Sequence, residues 1–232
     1  MTDRSRSEAL LGAVAMARLK AAHVAVIGVG GVGSWCAEAL VRTGVGRMTL
    51  VDDDVVAPSN VNRQCPALAS TLGRPKVEAM RERLLAVDPD CAVTALATRY
   101  SAEGTVLDLT DFDCVIDAID SVDCKAALIL AATDAGLPLV SSMGAARRLD
   151  PTKVVLRRFD KVEGDGLARA LRQRFRSLGR FPAAKFVCAV STEMPQAADG
   201  GEKGSVMPVT CAFGMALAAE TVRILTKETE QT

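Results

Sequence analysis

The chain has 232 residues, no net formal charge, 49% hydrophobic residues and only 3% aromatic ones. That length buries one good core, and the neutral balance supplies no global field to draw the protein to nucleic acid or to a membrane. Seven cysteines without a CxxC pair exclude a paired-cysteine zinc site and, with no secretory leader ahead of them, indicate a reducing cytoplasm; the single His23 lies in a predicted strand, so the chemistry has to work without imidazole.

In chain order, residues 1–7 are polar, and Ser7 can cap a helix from about Glu8 to Lys20 bearing Leu10, Leu11, Val14 and Leu19. On composition alone, Arg4 and Arg6 ahead of it belong to a frayed, solvated end. His23 to Ile27 is a short apolar strand that runs into Gly28-Val29-Gly30-Gly31-Val32-Gly33 and then a helix from Ser34 to Thr43. In such a turn Gly28 permits the bend, Gly30 lets backbone approach a phosphate, and Gly33 lets the helix sit close to the strand. The helix N-terminus then offers free N–H groups to an anion. Met48 to Val51 is a second strand ending in Asp52-Asp53-Asp54, and Asp52 stands where a dinucleotide unit keeps the acid that holds a ribose.

Beyond that point the pattern departs from a dinucleotide site. An irregular loop from Val55 to Gln64 contains Asn60, Asn62, Arg63 and Gln64, and Pro75 opens a helix to Val87 that places Lys76 at its N-terminus. Strands follow at Cys91 to Ala97, Cys114 to Ile119 and Leu139 to Ser142. The middle one ends in Asp120-Ser121 before a helix from Val122 to Ala135. Asp120 is therefore a candidate Mg²⁺ ligand at the carboxyl end of a parallel strand, with helix capping as its alternative role. The expected fold is α/β, a Rossmann-like doubly wound, mainly parallel sheet with an elaborated C-terminal half. We expect one domain over 1–232, its nucleotide half at about 20–145 and its substrate half at about 146–232.

The ordered run Gly28-x-Gly30-Gly31-x-Gly33, Asp52-x-Asp54, Asn60-x-Asn62-Arg63-Gln64, Gly73-x-Pro75-Lys76 and Asp117-Ala118-Ile119-Asp120-Ser121 resembles the ubiquitin-activating-enzyme-like (ThiF-type) superfamily. Its members adenylate carboxylates with MgATP. Within it, Lys125, Gly144 followed by Asp150-Pro151-Thr152, and Cys188 to Glu193 are most similar to the bacterial tRNA threonylcarbamoyladenosine dehydratases. The resemblance implies ATP and Mg²⁺ as cofactors, Asp52 on the ribose, and Asp54, Asn60, Arg63 and Gln64 along the nucleotide. It puts Lys76 on the β and γ phosphates and Mg²⁺ on Asp120 beside Ser121. It also implies a homodimer in which Arg6 reaches the partner's ATP, reversing the frayed-terminus reading and leaving Arg4 the weaker claim. A cysteine desulfurase and its sulfur acceptor follow as further partners. The expected reaction is ATP-dependent dehydration of N6-threonylcarbamoyladenosine in tRNA to its cyclic form through an acyl adenylate.

From Arg147 to Lys185 there are twelve bases and four acids, a net +8, which is the footprint expected for a phosphate backbone and the segment assigned to tRNA. Arg169, Arg172 and Arg176 recur along one face of a predicted helix from Leu167 to Leu178. Arg147-Arg148 and Cys65-Pro66 depart from the family pattern. Cys188, in the expected crossover region, is either a reactive thiol, as in relatives that pass on thioesters or sulfur, or a buried core residue. Ala198 to Ser205 reads as a mobile loop and Thr210 to Leu225 as a closing helix, with no segment from Val206 onward long enough to span a bilayer. Two other readings stay open: an adenylyltransferase for a ubiquitin-like sulfur carrier, and a plain NAD-binding module.

Overall fold

The computed structural model describes residues 2–101, 107–197 and 204–227. In chain order it forms α1 (Ser5–Leu11), α2 (Ala13–Ala21), β1 (His23–Ile27), α3 (Gly33–Thr43), β2 (Arg47–Val51), α4 (Lys76–Val87), β3 (Ala92–Leu96), β4 (Cys114–Asp117), α5 (Val122–Asp134), β5 (Leu139–Ser142), β6 (Val154–Arg158), α6 (Gly166–Leu178), β7 (Val187–Ser191) and α7 (Met207–Thr226). One seven-stranded sheet has the order β3-β2-β1-β4-β5-β7-β6, parallel except for β6. The central strands are buried and mainly apolar because helices cover both faces. Val24 and Val26 of β1 point into a core with Leu40, Met80, Phe213 and Leu217, while Ala25 and Ile27 face Val115, Leu128, Leu171 and Phe175. Strand order reverses between β2 and β4 on either side of β1, and the crevice beyond the carboxyl ends there is where open α/β sheets bind ligands. The α/β class expected from the sequence is borne out.

Several local expectations are corrected. The expected helix from Glu8 to Lys20 breaks at Gly12 (φ +83), and its first half starts at Ser5 rather than after a Ser7 cap. The break turns Leu10 and Val14 outward, 84% and 65% exposed. Arg4 is pinned rather than frayed: its guanidinium donates to Val41 O at 2.9 Å and to Asp88 Oδ2 at 2.5 Å. The fourth strand stops at Asp117, leaving 118–120 as a turn, and Pro75 is the N-cap of α4 rather than its first residue. Strands β6 and β7 were not foreseen. Cys188 lies inside β7, paired with Ser141 of β5 and Arg157 of β6, not in a crossover connection.

The expected loop at Ala198 to Ser205 falls at 198–203 outside the described residues. Helix α7 begins three residues earlier than expected. It has the length and apolar content of a membrane span, yet Val209, Phe213 and Leu217 are sunk in the core. It presses on α3 so closely that a Cβ on Gly214 would lie 2.6 Å from Val32 O.

Candidate active site at the carboxyl edge of the sheet

The glycine turn is shaped by three different demands. A Cβ on Gly28, which sits at φ +93, would lie 2.7 Å from Ala118 O, and one on Gly33 would lie 1.9 Å from Gly28 O; neither position accepts a side chain. Gly30 is different, since a Cβ there would meet only the Gln64 Nε2 at 3.9 Å, so the space in front of this backbone is open. Gly31 is backed by Arg63 and Thr210, each about 3.3 Å from the same probe position. Ser34 locks the turn: its hydroxyl donates to Gly30 O at 2.6 Å and accepts from Cys65 N at 3.1 Å.

The acids after β2 close one side. Asp52 Oδ2 accepts from Val29 N at 2.6 Å and Oδ1 accepts from Asp54 N at 2.9 Å, so this carboxylate braces the glycine turn from below. Burial pushes the Asp52 carboxyl above the ordinary range, against the pull of Lys76 and the Val29 N–H. Lys76 is 5% exposed, with Nζ 2.5 Å from Asp54 Oδ2 and 4.0 Å from Asp52 Oδ1. Its stem is fixed because Lys76 N donates to Asp54 O at 3.0 Å. A buried ammonium held only by carboxylates, one of them exposed, is primed to transfer its charge to an incoming anion. Carboxylate oxygens of Asp52, Asp53 and Asp54 lie within 4.8 Å of one another, and Lys76 offsets part of that charge.

The loop after Asp54 closes the other side. Asn60, in a 3₁₀ turn, accepts from Ala57 N at 3.1 Å and shapes the loop. Arg63 donates from Nη1 to Ser59 O and to Asn62 Oδ1, both at 2.9 Å, and its carbonyl accepts from Trp35 Nε1 at 2.9 Å. Asn62 Nδ2 reaches across to Ser205 O at 2.9 Å. Gln64 is 8% exposed, with Nε2 toward the open face of Gly30 and a buried Oε1 that has no hydrogen-bond partner among the described residues. Trp35 and Ser34 were missed from sequence; the chain's only tryptophan, one turn into the helix after a glycine turn, was the available signal.

Asp120 stands on a turn built by a pair hidden beneath it. Asp117 and Lys125 are both fully buried, Nζ to Oδ2 2.8 Å, with Ser141 Oγ donating to Asp117 at 2.6 Å and Lys125 donating to Ile119 O at 3.0 Å. Those bonds fix 118–120 at the mouth of the crevice. Asp120 itself is exposed and makes no hydrogen bond or ion pair among the described residues; it does not cap α5, where Ser121 is the N-cap residue with its hydroxyl unused. Arg6 lies exposed on α1, likewise without a bonded partner among the described residues.

Beneath the site, Glu38 of α3 accepts from Arg42, from Arg83 of α4 and from the Cys65 thiol. Burial alone would raise its pKa, but the hydrogen bonds from Arg83, Cys65 and Arg42 outweigh it and hold it at about 2 against an ordinary 4.5. A depressed carboxyl stabilises the fold above its unfolded pKa and loses that contribution as pH falls through the folded one. Glu38→Gln is thus expected to cost about 3 kcal/mol near neutrality, with the gap to wild type shrinking between pH 4.5 and 2, as read from urea midpoints.

In the second half one open alternative is decided and one expectation is corrected. Cys188 is wholly buried and burial pushes its thiol up, so neither solvent nor substrate reaches it and the reactive thiolate is disfavoured. The basic segment is not one solvated surface. Arg148 is 3% exposed and binds Gly144 O, Glu193 O and Asp165 Oδ2, wiring the chain after β5 to the start of α6. Arg147 beside it has φ +60 and clamps Gly204 O and Gln196 N through its backbone. Arg172 turns inward to Phe159 O and Val162 O, while Arg158, Arg174 and Arg180 pair with Asp160, Asp123 and Asp134. Arg147, Arg157, Arg169, Arg176 and Lys185 have no acidic partner among the described residues, while Lys153 and Lys161 lie in the fields of Asp150 and Asp160.

A family model for the ThiF family matches residues 3–232. The chain is 45% identical over 177 residues to the tRNA threonylcarbamoyladenosine dehydratase of Bacillus subtilis, covering 75% of this chain and 69% of that one. It is 38% identical over 210 residues to the enzyme of the same name from Haemophilus influenzae, covering 87% and 80%. The crystal structure of the E. coli tRNA N6-threonylcarbamoyladenosine dehydratase in complex with AMP superposes with a TM-score of 0.90 at 36% identity, over 95% of this chain and 92% of that one; the complex of that protein with ATP gives 0.89. Matched along almost its whole length, this chain belongs to the ThiF family.

Proposed function

We propose that this chain is an ATP-dependent tRNA threonylcarbamoyladenosine dehydratase. The observation that carries the reading is the anion site at the sheet's carboxyl edge: open backbone at Gly30, the Gln64 Nε2 that faces it, and the buried Lys76 ammonium. The similarity to dehydratases over most of the chain supplies the substrate class. In the first step the threonyl carboxylate, already ionised at neutral pH, attacks the α-phosphorus of ATP and pyrophosphate leaves. The adjacent carbamoyl group then attacks the acyl carbon, AMP leaves, and the ring closes with net loss of one water. The second step is intramolecular and needs mainly geometry.

Asp52 holds the ribose hydroxyls, and Asp54, Asn60, Arg63 and Gln64 line the nucleotide. Lys76 exchanges Asp54 for the β and γ phosphates, and Arg63, poised on carbonyl and amide oxygens, turns to the polyphosphate. The free carboxylate of Asp120, with the Ser121 hydroxyl beside it, suits a hard cation with oxygen ligands, and Mg²⁺ held there would neutralise the departing pyrophosphate. Adenylation requires no general base, as positioning and charge neutralisation carry nucleotidyl transfer, and the carbamoyl proton lost on ring closure passes to the departing AMP phosphate or to water.

The chain acts in the cytoplasm as one adenylation domain; the single sheet shared by both halves and the seating of α7 on α3 support that unity. It acts as a homodimer, supported by the apolar Leu10 and Val14 exposed on the same segment as the unpartnered Arg6, which then serves the partner's ATP. Incubation with ATP, Mg²⁺ and tRNA carrying the open threonylcarbamoyl group is expected to remove one water from that nucleoside by mass. Pyrophosphate exchange that requires a ubiquitin-like carrier and ignores RNA would favour the sulfur-carrier reading instead.

A further inference from the structure

Aromatic residues are scarce in this chain, yet four of its six phenylalanines meet at one place. Phe159, Phe175, Phe181 and Phe186 line a cavity of about 510 Å³ between the end of β6, the second half of α6 and the chain entering β7. Phe159 stacks on Phe186 (centroids 5.0 Å apart, planes at 15°) and meets Phe175 edge-on at 6.1 Å, so three of the rings form a rigid wall. Arg172 caps that wall: its guanidinium lies 5.1 Å from the Phe159 centroid and donates to Phe159 O and Val162 O. The fourth ring, Phe181, is 62% exposed at the cavity's rim.

The charge around these rings is one-sided. Arg176 and Lys185 line the cavity and have no acidic partner among the described residues, whereas the one acid, Asp160, is neutralised by Arg158. An aromatic wall, an exposed ring and unpaired cations within a volume suited to a small ligand form the combination that holds a single-stranded nucleotide. The place is also distinct from the ATP site. Phe186 precedes β7 and Phe159 follows the antiparallel β6, so the cavity opens at the amino edge of the sheet, a strand length of roughly 15 Å from the crevice after β1, β2 and β4. A substrate bridging both edges has to be large.

We propose that this cavity is a stacking site for one unpaired nucleotide of the tRNA substrate, its base laid against Phe181 and its phosphates met by Arg176 and Lys185. The proposal rests on the dehydratase reading for the identity of the RNA. It resolves the basic segment into a discrete site: the clustered bases of α6 and the 181–186 stretch act together with the phenylalanines between them.

Binding of the full chain to fluorescein-labelled tRNA is the test. Phe181→Ala, a change at an exposed ring that leaves the core intact, is expected to raise the tRNA dissociation constant about tenfold. Its affinity for ATP is expected to stay unchanged. The double variant Arg176→Gln/Lys185→Gln is expected to flatten the slope of log affinity against log salt by between about one and two. Phe181→Trp keeps binding and adds indole emission that tRNA quenches, relative to the wild type with Trp35 alone. Wild-type dehydration of tRNA with unchanged binding by Phe181→Ala and by Arg176→Gln/Lys185→Gln overturns the proposal while sparing the dehydratase. Binding that depends on Phe181 without any dehydration keeps the nucleotide site and overturns the enzyme assignment; absence of tRNA binding by the wild type overturns both.

Discussion

Replacement of Lys76 by methionine is expected to lower kcat/KM for tRNA dehydration about a thousandfold while leaving the protein folded. The ammonium is the one cation buried at the mouth of the glycine turn, and its two contacts there are carboxylates of Asp54 and Asp52. Loss of a single preorganised charge aimed at a developing anion is worth about 3–4 kcal/mol in a site of this kind. The protein stays folded, because Asp54, left without its partner, is 66% exposed and recovers water, while Asp52, 11% exposed, keeps the Val29 and Asp54 N–H donors. Methionine keeps the length of the buried stem. Steady-state assays of the cyclised nucleoside over a range of ATP concentrations check this, and a variant within tenfold of wild type would remove Lys76 from the chemistry.

The second large effect concerns stability. Lys125→Met leaves Asp117 fully buried with its charge uncompensated, since the remaining donors are only the Ser141 hydroxyl and the Ile119 N–H. Breaking a buried pair from one side costs about 3–5 kcal/mol. For a chain of this length that corresponds to a fall of roughly 10 °C or more in Tm. The double variant Asp117→Leu/Lys125→Met removes both charges and is expected to recover much of the loss in calorimetry. It is not expected to recover activity, because Lys125 also ties Ile119 O and so sets the turn on which Asp120 stands. Equal activity in the double variant and wild type would show that this turn does not need the pair.

What the sequence disclosed follows from how local each determinant is. The glycine turn, Asp52 and Asp120 each follow the carboxyl end of a strand and Lys76 opens the next helix, so their order along the chain already places them at one sheet edge once the strands are parallel. The open face at Gly30 was legible as well, because the turn geometry requires it. Residues whose meaning depends on distant partners were not legible. Arg148 counted as one more surface base until its carbonyl and carboxylate partners at Gly144, Glu193 and Asp165 came together in space. Strand β6 was concealed by its bases, which an edge strand paired on one side tolerates at its exposed end, and with it the partner that buries Cys188. The break at Gly12 was read through because the flanking apolar residues suit a helix equally well on either side of it.

Formation of a mixed anhydride between the substrate's carboxylate and AMP is tested directly by oxygen tracing. With tRNA whose threonyl carboxylate carries ¹⁸O at both oxygens, AMP is expected to bear one heavy oxygen for each nucleoside cyclised. Heavy oxygen recovered in inorganic phosphate, with ADP as the other product, would contradict it.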